Sequence, residues 1–364
     1  MKITLNEHKG SYDGSTCYVH SRAAALGEDS LLITTQRLNV SGCDDFSGPE
    51  VIFATQGGKV ISPPMPDLAF GRKALCEGVE FVECDATPMR LRKSNRILLI
   101  GHYAFYRDGG NAAASGYQNR GFYTFFDEEN GVFLPTRAFE VDVPADVIHC
   151  APGSVQFYEK EDGELLIPFT LKRQGGLYEV CLFHFRLCGD HLTECGKSNR
   201  LSYPIARGAY EPSVIFARGK YILTVRNDTV GLYSTSTDGY LFGELMPWCF
   251  DDGSLLENYN TQQHFLSLGT RVYLVYTRRG ADNDHVFRHR APLFLSEIDT
   301  ERMCLIRSTE RIAVPERGAR LGNFGVTNVS DDLAYLTVSE WMQPIGCEKH
   351  GSDNTLFIVK FENN

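Results

Sequence analysis

Residues Tyr210 to Gly243 read YEPSVIFARGKYILTVRNDTVGLYSTSTDGYLFG, and this one stretch holds the repeating unit of the chain. A short polar entry, Glu211-Pro212-Ser213, runs into an apolar stretch. The turn composition FARGK follows, and then the apolar strand YILTV at Tyr221 to Val225. The same order recurs from His20-Ser21-Arg22, Cys84-Asp85-Ala86-Thr87, Cys150-Ala151-Pro152-Gly153-Ser154, Thr261-Gln262-Gln263-His264 and Asn323-Phe324-Gly325. The matching strands include SLLITT at Ser30 to Thr35, ELLIPFT at Glu164 to Thr170 and VYLVY at Val272 to Tyr276. With Arg22, Thr87, Ser154, Ser213, Gln263 and Gly325 as markers, the spacings are 65, 67, 59, 50 and 62 residues. A near-regular period of this length predicts an all-β fold, a six-bladed β-propeller of four-stranded antiparallel blades. Such a ring gathers every blade entry around one axis, so residues hundreds of positions apart can share a pocket. The sixth unit is too short for a whole blade, and the strand around Met1 to Leu5 is expected to complete it.

The chain has 364 residues, 43% hydrophobic and 12% aromatic, and no Pro/Gly/Ser-rich linker divides it. Residues 1–364 are therefore read as a single β-propeller domain. A net charge of -10 argues against nonspecific binding to nucleic acid or an anionic membrane, while a local arginine cluster can still hold a small acidic ligand. The amino terminus MKITLNEHKGSYDG lacks the apolar core of a signal peptide, and no stretch approaches the roughly 18 apolar residues of a membrane span. A soluble, cytoplasmic protein is expected. The eleven cysteines are irregularly spaced without a CxxC pair, which predicts reduced and mostly buried thiols. No HxH, HExxH, dinucleotide or P-loop spacing occurs, so neither a metal nor a cofactor is expected.

Three stretches give the chain its likeness to a known family. YVHSRAAAL, Tyr18 to Leu26, is the first; the Tyr210 to Gly243 unit is the second; TRRGADNDHVFRHRAPLFLSEID, Thr277 to Asp299, is the third. Together they resemble the sialidase superfamily of six-bladed propellers, glycoside hydrolases that remove a terminal acidic sugar. The resemblance implies three arginines gripping the substrate carboxylate: Arg22, Arg226, and either Arg288 or Arg290. It pairs Glu211 with the family's strand-heading glutamate and implies that Glu340 orients the first arginine. It places the general acid in the first-blade loop RLNVSGCDDFSGP, at Asp44 or Asp45, with Asp45 preferred. Ser236-Thr237-Asp238-Gly239 resembles a degenerate Asp box. The family's tyrosine nucleophile is missing: the last entry reads ARLGNFGVTN, with Asn323 and Phe324 in its place.

The chemistry agrees with that likeness in outline. Glycoside hydrolysis needs an acid at the leaving oxygen and a base or nucleophile on the opposite face. Asp45, Glu211 and His264 are the catalytic candidates. Without the tyrosine, Glu211 could activate water directly and give inversion. Arginine suits carboxylates because its planar fork donates parallel, charge-assisted hydrogen bonds. Arg22, Arg226, Arg288 and Arg290 are therefore substrate-binding candidates, joined by Asp85, His102, His149, Gln263, His285 and Asn323 at or near the entries. The expected partner is an oligosaccharide or glycoconjugate, and the expected activity is exo-acting, sialidase-like hydrolysis. Two other readings stay open: a polysaccharide lyase using His102, Tyr103, Arg107 or His264 on a uronate, and a non-catalytic glycan-binding propeller.

Overall fold

The computed structural model describes residues 1–10, 12–42, 44–107 and 119–363. Alternating apolar and polar residues of β-branched and aromatic type build strands throughout; helix is confined, among the described residues, to three short 3-10 turns. The fold is an all-β propeller, as expected. The expected count of six separate four-stranded blades needs correction. Four sheets stand alone at blade size: those that begin at Thr16–Leu26, Tyr210–Ala217 and His264–Leu268, and the one containing Gly325–Ser330. The strands between Lys73–Cys76 and Leu201–Ser202 form one twelve-stranded sheet instead. The cause is a parallel pairing of Val147–Ala151 with Asn119–Asp127, which carries backbone hydrogen bonding from one meander into the next.

Closure follows the amino-terminal expectation. Lys2–His8 pairs antiparallel with Leu356–Glu362, which continues through Leu333–Ser339 to Gly325–Ser330. One sheet thus joins the two ends of the described chain and covers an edge that would otherwise be open. Ile3 and Leu5 pack on the cluster holding Leu336, Val338, Phe357 and Val359. Deleting residues 1–8 is expected to cost about 3 kcal/mol or more through lost apolar burial, and to promote aggregation through the bared edge. Unchanged denaturant unfolding of the truncated chain would contradict this.

The innermost strands touch around a central axis. Thr16–Leu26 lies between Val79–Arg90 and Gly325–Ser330, and His264–Leu268 lies between Gly325–Ser330 and Tyr210–Ala217. Side chains tie neighbours together: Gln156 exchanges two hydrogen bonds of 2.8 Å with the backbone of Phe265, and Thr327 Oγ1 donates to Ala23 O at 2.6 Å. Gly325 is required for close approach, because a Cβ there would meet Arg22 Cγ at 2.6 Å.

The entries share a local device. Pairing registers slip between Val19 and Arg22, between Cys84 and Thr87, and between Tyr210 and Ser213. At these bulges His20, Asp85 and Glu211 adopt left-handed backbone, with φ of 57°, 53° and 47°. Ser154 and Asn260 do the same at their entries, with φ of 56° and 49°. A bulge inserts one unpaired residue and re-aims its side chain, and left-handed backbone at a residue other than glycine is unfavourable enough to point to a site. The device turns polar side chains out of the strands and toward one end of the ring.

Candidate functional site

Of these, the side chains of His20, Asp85, Ser154 and Glu211 converge on a cavity of about 1330 Å³, lined from every part of the ring. This is above the usual range of about 300–1,000 Å³ for small-molecule sites. Of the candidates, Asp85, His102, His149, Glu211, Arg226, Arg288, Arg290 and Asn323 line it. Aromatic walls from Phe46, Tyr106, Tyr178, Tyr210, Phe287 and Trp341 complete it.

One wall is basic. Both Glu211 oxygens accept from Arg226 Nη1, at 2.7 and 2.6 Å, and Arg226 Nη2 donates to Asn260 Oδ1 at 2.7 Å. Burial alone would lower the Arg226 pKa, but Glu211 and Tyr210 raise it overall. Arg226 Cζ lies 4.7 Å from the Tyr210 ring centre. Arg290, 4% exposed, has a different environment. Its Nε and Nη2 donate to Asn260 O at 3.2 and 2.5 Å, and among the described residues no carboxylate oxygen lies within 4.0 Å of it. Burial, then the charges of Arg226 and Arg320, depress its pKa well below the arginine range. Asn260 therefore braces two guanidinium groups at once, with its side chain on one and its carbonyl on the other. Beside them, Arg207 pairs with Asp228 at 2.8 and 2.6 Å, and Tyr210 Oη donates to Asp228 Oδ1 at 2.5 Å.

The floor is an acid flanked by histidines. Asp85 Oδ1 lies 3.1 Å from His20 Nε2 and accepts from Ser154 Oγ at 2.6 Å, while its Oδ2 lies 3.8 Å from His102 Nδ1. Burial opposes ionisation of Asp85, yet His20, His102 and Arg22 hold its carboxyl below the usual range. Burial lowers the pKa values of His20 and His102, and Asp85 only partly offsets this. His149 is pushed down to about 3, first by burial and then by the neighbouring His102 and Lys172. Gly153 makes room for the cluster, since a Cβ there would meet His102 Nδ1 at 2.4 Å. Among the described residues, no group of three His, Cys, Asp or Glu side chains is placed to hold a metal ion.

Five candidates lie elsewhere. Arg22 is 1% exposed beneath the floor, donating to Phe324 O, Ala86 O, Ser154 Oγ and Gln262 Oε1 at 3.0 to 3.4 Å. The bulge explains the displacement: the extra residue presents His20 to the cavity and turns Arg22 to the axis. His264 lies at the same depth, with Nδ1 at 2.8 Å from Ser213 Oγ, and burial pushes its pKa to about 3. Gln263 is buried against Thr224, whose Oγ1 donates to its Oε1 at 2.6 Å. Asp45 pairs with Arg72, and it is Asp44 that reaches the cavity. His285 pairs with Glu316 at 3.0 Å, outside the lining. Glu340 holds Arg317, with Arg317 Nε donating to its Oε1 at 2.8 Å, rather than Arg22. Of the lyase candidates only His102 lines the cavity; Tyr103 Oη donates to Thr136 and Arg107 is not in the lining. The Asp-box likeness has a structural counterpart, since Asp238 Oδ1 accepts from the Tyr240 and Leu241 amides at 2.8 and 2.9 Å in a tight turn. Of the ten described cysteines, six are buried, and Cys76, Cys188 and Cys195 are exposed.

Sequence reasoning missed His20, Asn260, Arg320 and the aromatic walls. His20 stood inside a quoted entry, two residues before the marker favoured there, and Asn260 directly precedes the entry Thr261-Gln262-Gln263-His264. Arg320 opens the last entry and could have been found as its only charged residue in ARLGNFGVTN.

No family model and no curated protein matches the chain. Solved structures do. A protein of unknown function from Dyadobacter fermentans DSM 18053 aligns with a TM-score of 0.68 at 13% identity, covering 99% of both chains. Trypanosoma rangeli sialidase aligns at 0.64 with 14% identity, over 99% of this chain and 60% of its own. Hadza microbial sialidase Hz136 aligns at 0.65 with 10% identity, over 95% and 66%. The chain thus spans less than two thirds of the sialidases' length. The trypanosomal enzyme has been solved with sialic acid. At these identities the likeness concerns architecture alone: the chain has a sialidase-like β-propeller fold.

Proposed function

We propose that the chain is an exo-acting glycoside hydrolase that takes a terminal acidic sugar of an oligosaccharide or glycoconjugate. The observation that carries this reading is Arg290, a buried guanidinium in the cavity wall with no carboxylate partner among the described residues. A buried cation without a counter-ion is costly, and an incoming carboxylate supplies one. The facing acid–histidine cluster gives the pocket groups for proton transfer.

The residues divide the work as follows. Arg226 and Arg290 hold the carboxylate. Glu211, with both oxygens taken by Arg226, fixes that arginine and is a poor base. Asp44, on the first-blade loop, gives its proton to the glycosidic oxygen as the bond to the anomeric carbon breaks. A water attacks that carbon from the other face and loses its proton to His102, which Asp85 orients. Burial raises the pKa of the lining tyrosines Tyr106, Tyr178 and Tyr210, which disfavours their phenolates, and the proposed route uses water as the nucleophile. A single displacement by water inverts the anomeric configuration.

The test is a panel of terminally acidic oligosaccharides in H₂¹⁸O, with products read by mass spectrometry. Hydrolysis adds the heavy oxygen. An unsaturated product without it would show elimination, and no reaction across the panel would favour a binding propeller. The pH profile provides a second check. The base must be neutral, and burial lowers the His102 pKa beneath 6.5, so the acid-side loss of activity should set in below pH 6.5. His102→Gln should lower kcat about 100-fold or more and remove that acid limb. An unchanged limb in the variant would exclude His102 as the base.

A further inference from the structure

We infer that Arg320, and not Arg22, completes the anion clamp with Arg226 and Arg290, so that the third arginine comes from the entry to the last sheet rather than the first. The inference rests on the acidic-sugar reading. Arg22 is out of a ligand's reach: its guanidinium is 1% exposed, lies outside the cavity lining, and gives four of its five N–H donors to internal acceptors. Arg320 is the reverse case. It lines the cavity, is 7% exposed, and its Nε is buried without a hydrogen-bond partner. The only protein acceptor of its guanidinium among the described residues is Gln343, on Nη2, so the rest of the fork in the cavity wall is left for an acceptor on a ligand.

Its position is rigid. The backbone of Arg320 bridges that of Trp341, with amide-to-carbonyl distances of 3.2 and 2.9 Å. The guanidinium lies over Trp341 with Cζ 4.0 Å from the ring centre, and 5.2 Å from that of Phe287. Gln343 Oε1 accepts from Nη2. Stacking holds the plane of the fork while leaving its Nε edge unused. The Arg226 Nε is likewise buried and unpartnered, so two arginines of the wall each carry an unused donor. The ligand chemistry this fits is a planar carboxylate on a sugar ring.

The experiment measures binding of N-acetylneuraminic acid and glucuronic acid, and of their methyl esters, by titration calorimetry to wild type, Arg320→Met and Arg320→Lys. Arg320→Met is expected to weaken binding of an acid about 30-fold and of its ester less than threefold. Arg320→Lys, which keeps the charge and loses the fork, should fall between. Acid binding by Arg320→Met within twofold of wild type would overturn the inference while leaving the acidic-sugar reading standing. Wild type that binds acids no better than esters would overturn both. If Arg320→Met fails to fold, Arg320→Lys decides: wild-type discrimination between acid and ester there would refute a role for the fork.

Discussion

Arg290→Met is expected to weaken binding of acidic saccharides 30-fold or more, about 2 kcal/mol, and at the same time to leave the protein as stable as before or more so. The two effects have one cause. Arg290 is buried, its hydrogen-bond acceptor is the one backbone oxygen of Asn260, and it stands beside the like charges of Arg226 and Arg320. Replacing a buried, uncompensated charge with an apolar side chain of similar length is commonly neutral or stabilising by about 1–4 kcal/mol. With ligand bound, the same charge forms charge-assisted hydrogen bonds whose loss costs about 2–5 kcal/mol. The measurement is a pair: ligand affinity and denaturant unfolding on the same variant. A drop in stability with affinity unchanged would make Arg290 a structural residue and remove the main support for an anionic ligand.

Arg22→Met should behave in the opposite way. Its guanidinium satisfies four acceptors at the axis and lies 3.7 Å from Asp85. Removing it leaves those acceptors unmet and takes a positive charge from beside the largely enclosed Asp85, which is expected to cost about 3–5 kcal/mol of folding stability. Any residual folded protein should keep its preference for acids over neutral analogues, because the residue does not reach the cavity. A variant of wild-type stability that has lost acid selectivity would restore Arg22 to the clamp and refute the placement of Arg320 there.

The contrast between these arginines shows how far the residues alone could be read. The polar entries, the strands after them and the closing role of Lys2–His8 were legible because each depends on local composition and near-regular spacing. Glu211 with Arg226 was legible too, since antiparallel pairing sets Tyr210 opposite Arg226 and so brings the two side chains together. The choice between His20 and Arg22, or between Asp44 and Asp45, was not. A one-residue slip reverses the face to which every following side chain points, and nothing in the composition of His20-Ser21-Arg22 announces the bulge. The same holds for Asn260, whose left-handed backbone puts it, rather than Gln263 or His264, beside the two arginines. The division into sheets was equally hidden, because a parallel pairing between neighbouring meanders leaves no mark on either strand's pattern.

By itself, the amino-acid sequence determined that the chain forms strands in a recurring unit, that polar residues open each unit, and that the terminal strand is needed for closure. These follow from short-range periodicity and turn chemistry. Only the tertiary structure decided which of the polar residues meet. The cavity is made by bulges and by contacts across hundreds of residues, as where Arg320 stacks on Trp341 and Arg290 rests on Asn260. Whether a buried arginine is a strut or a binding group depends on which acceptors surround it, and that is set by the packing of distant strands rather than by its neighbours in the chain.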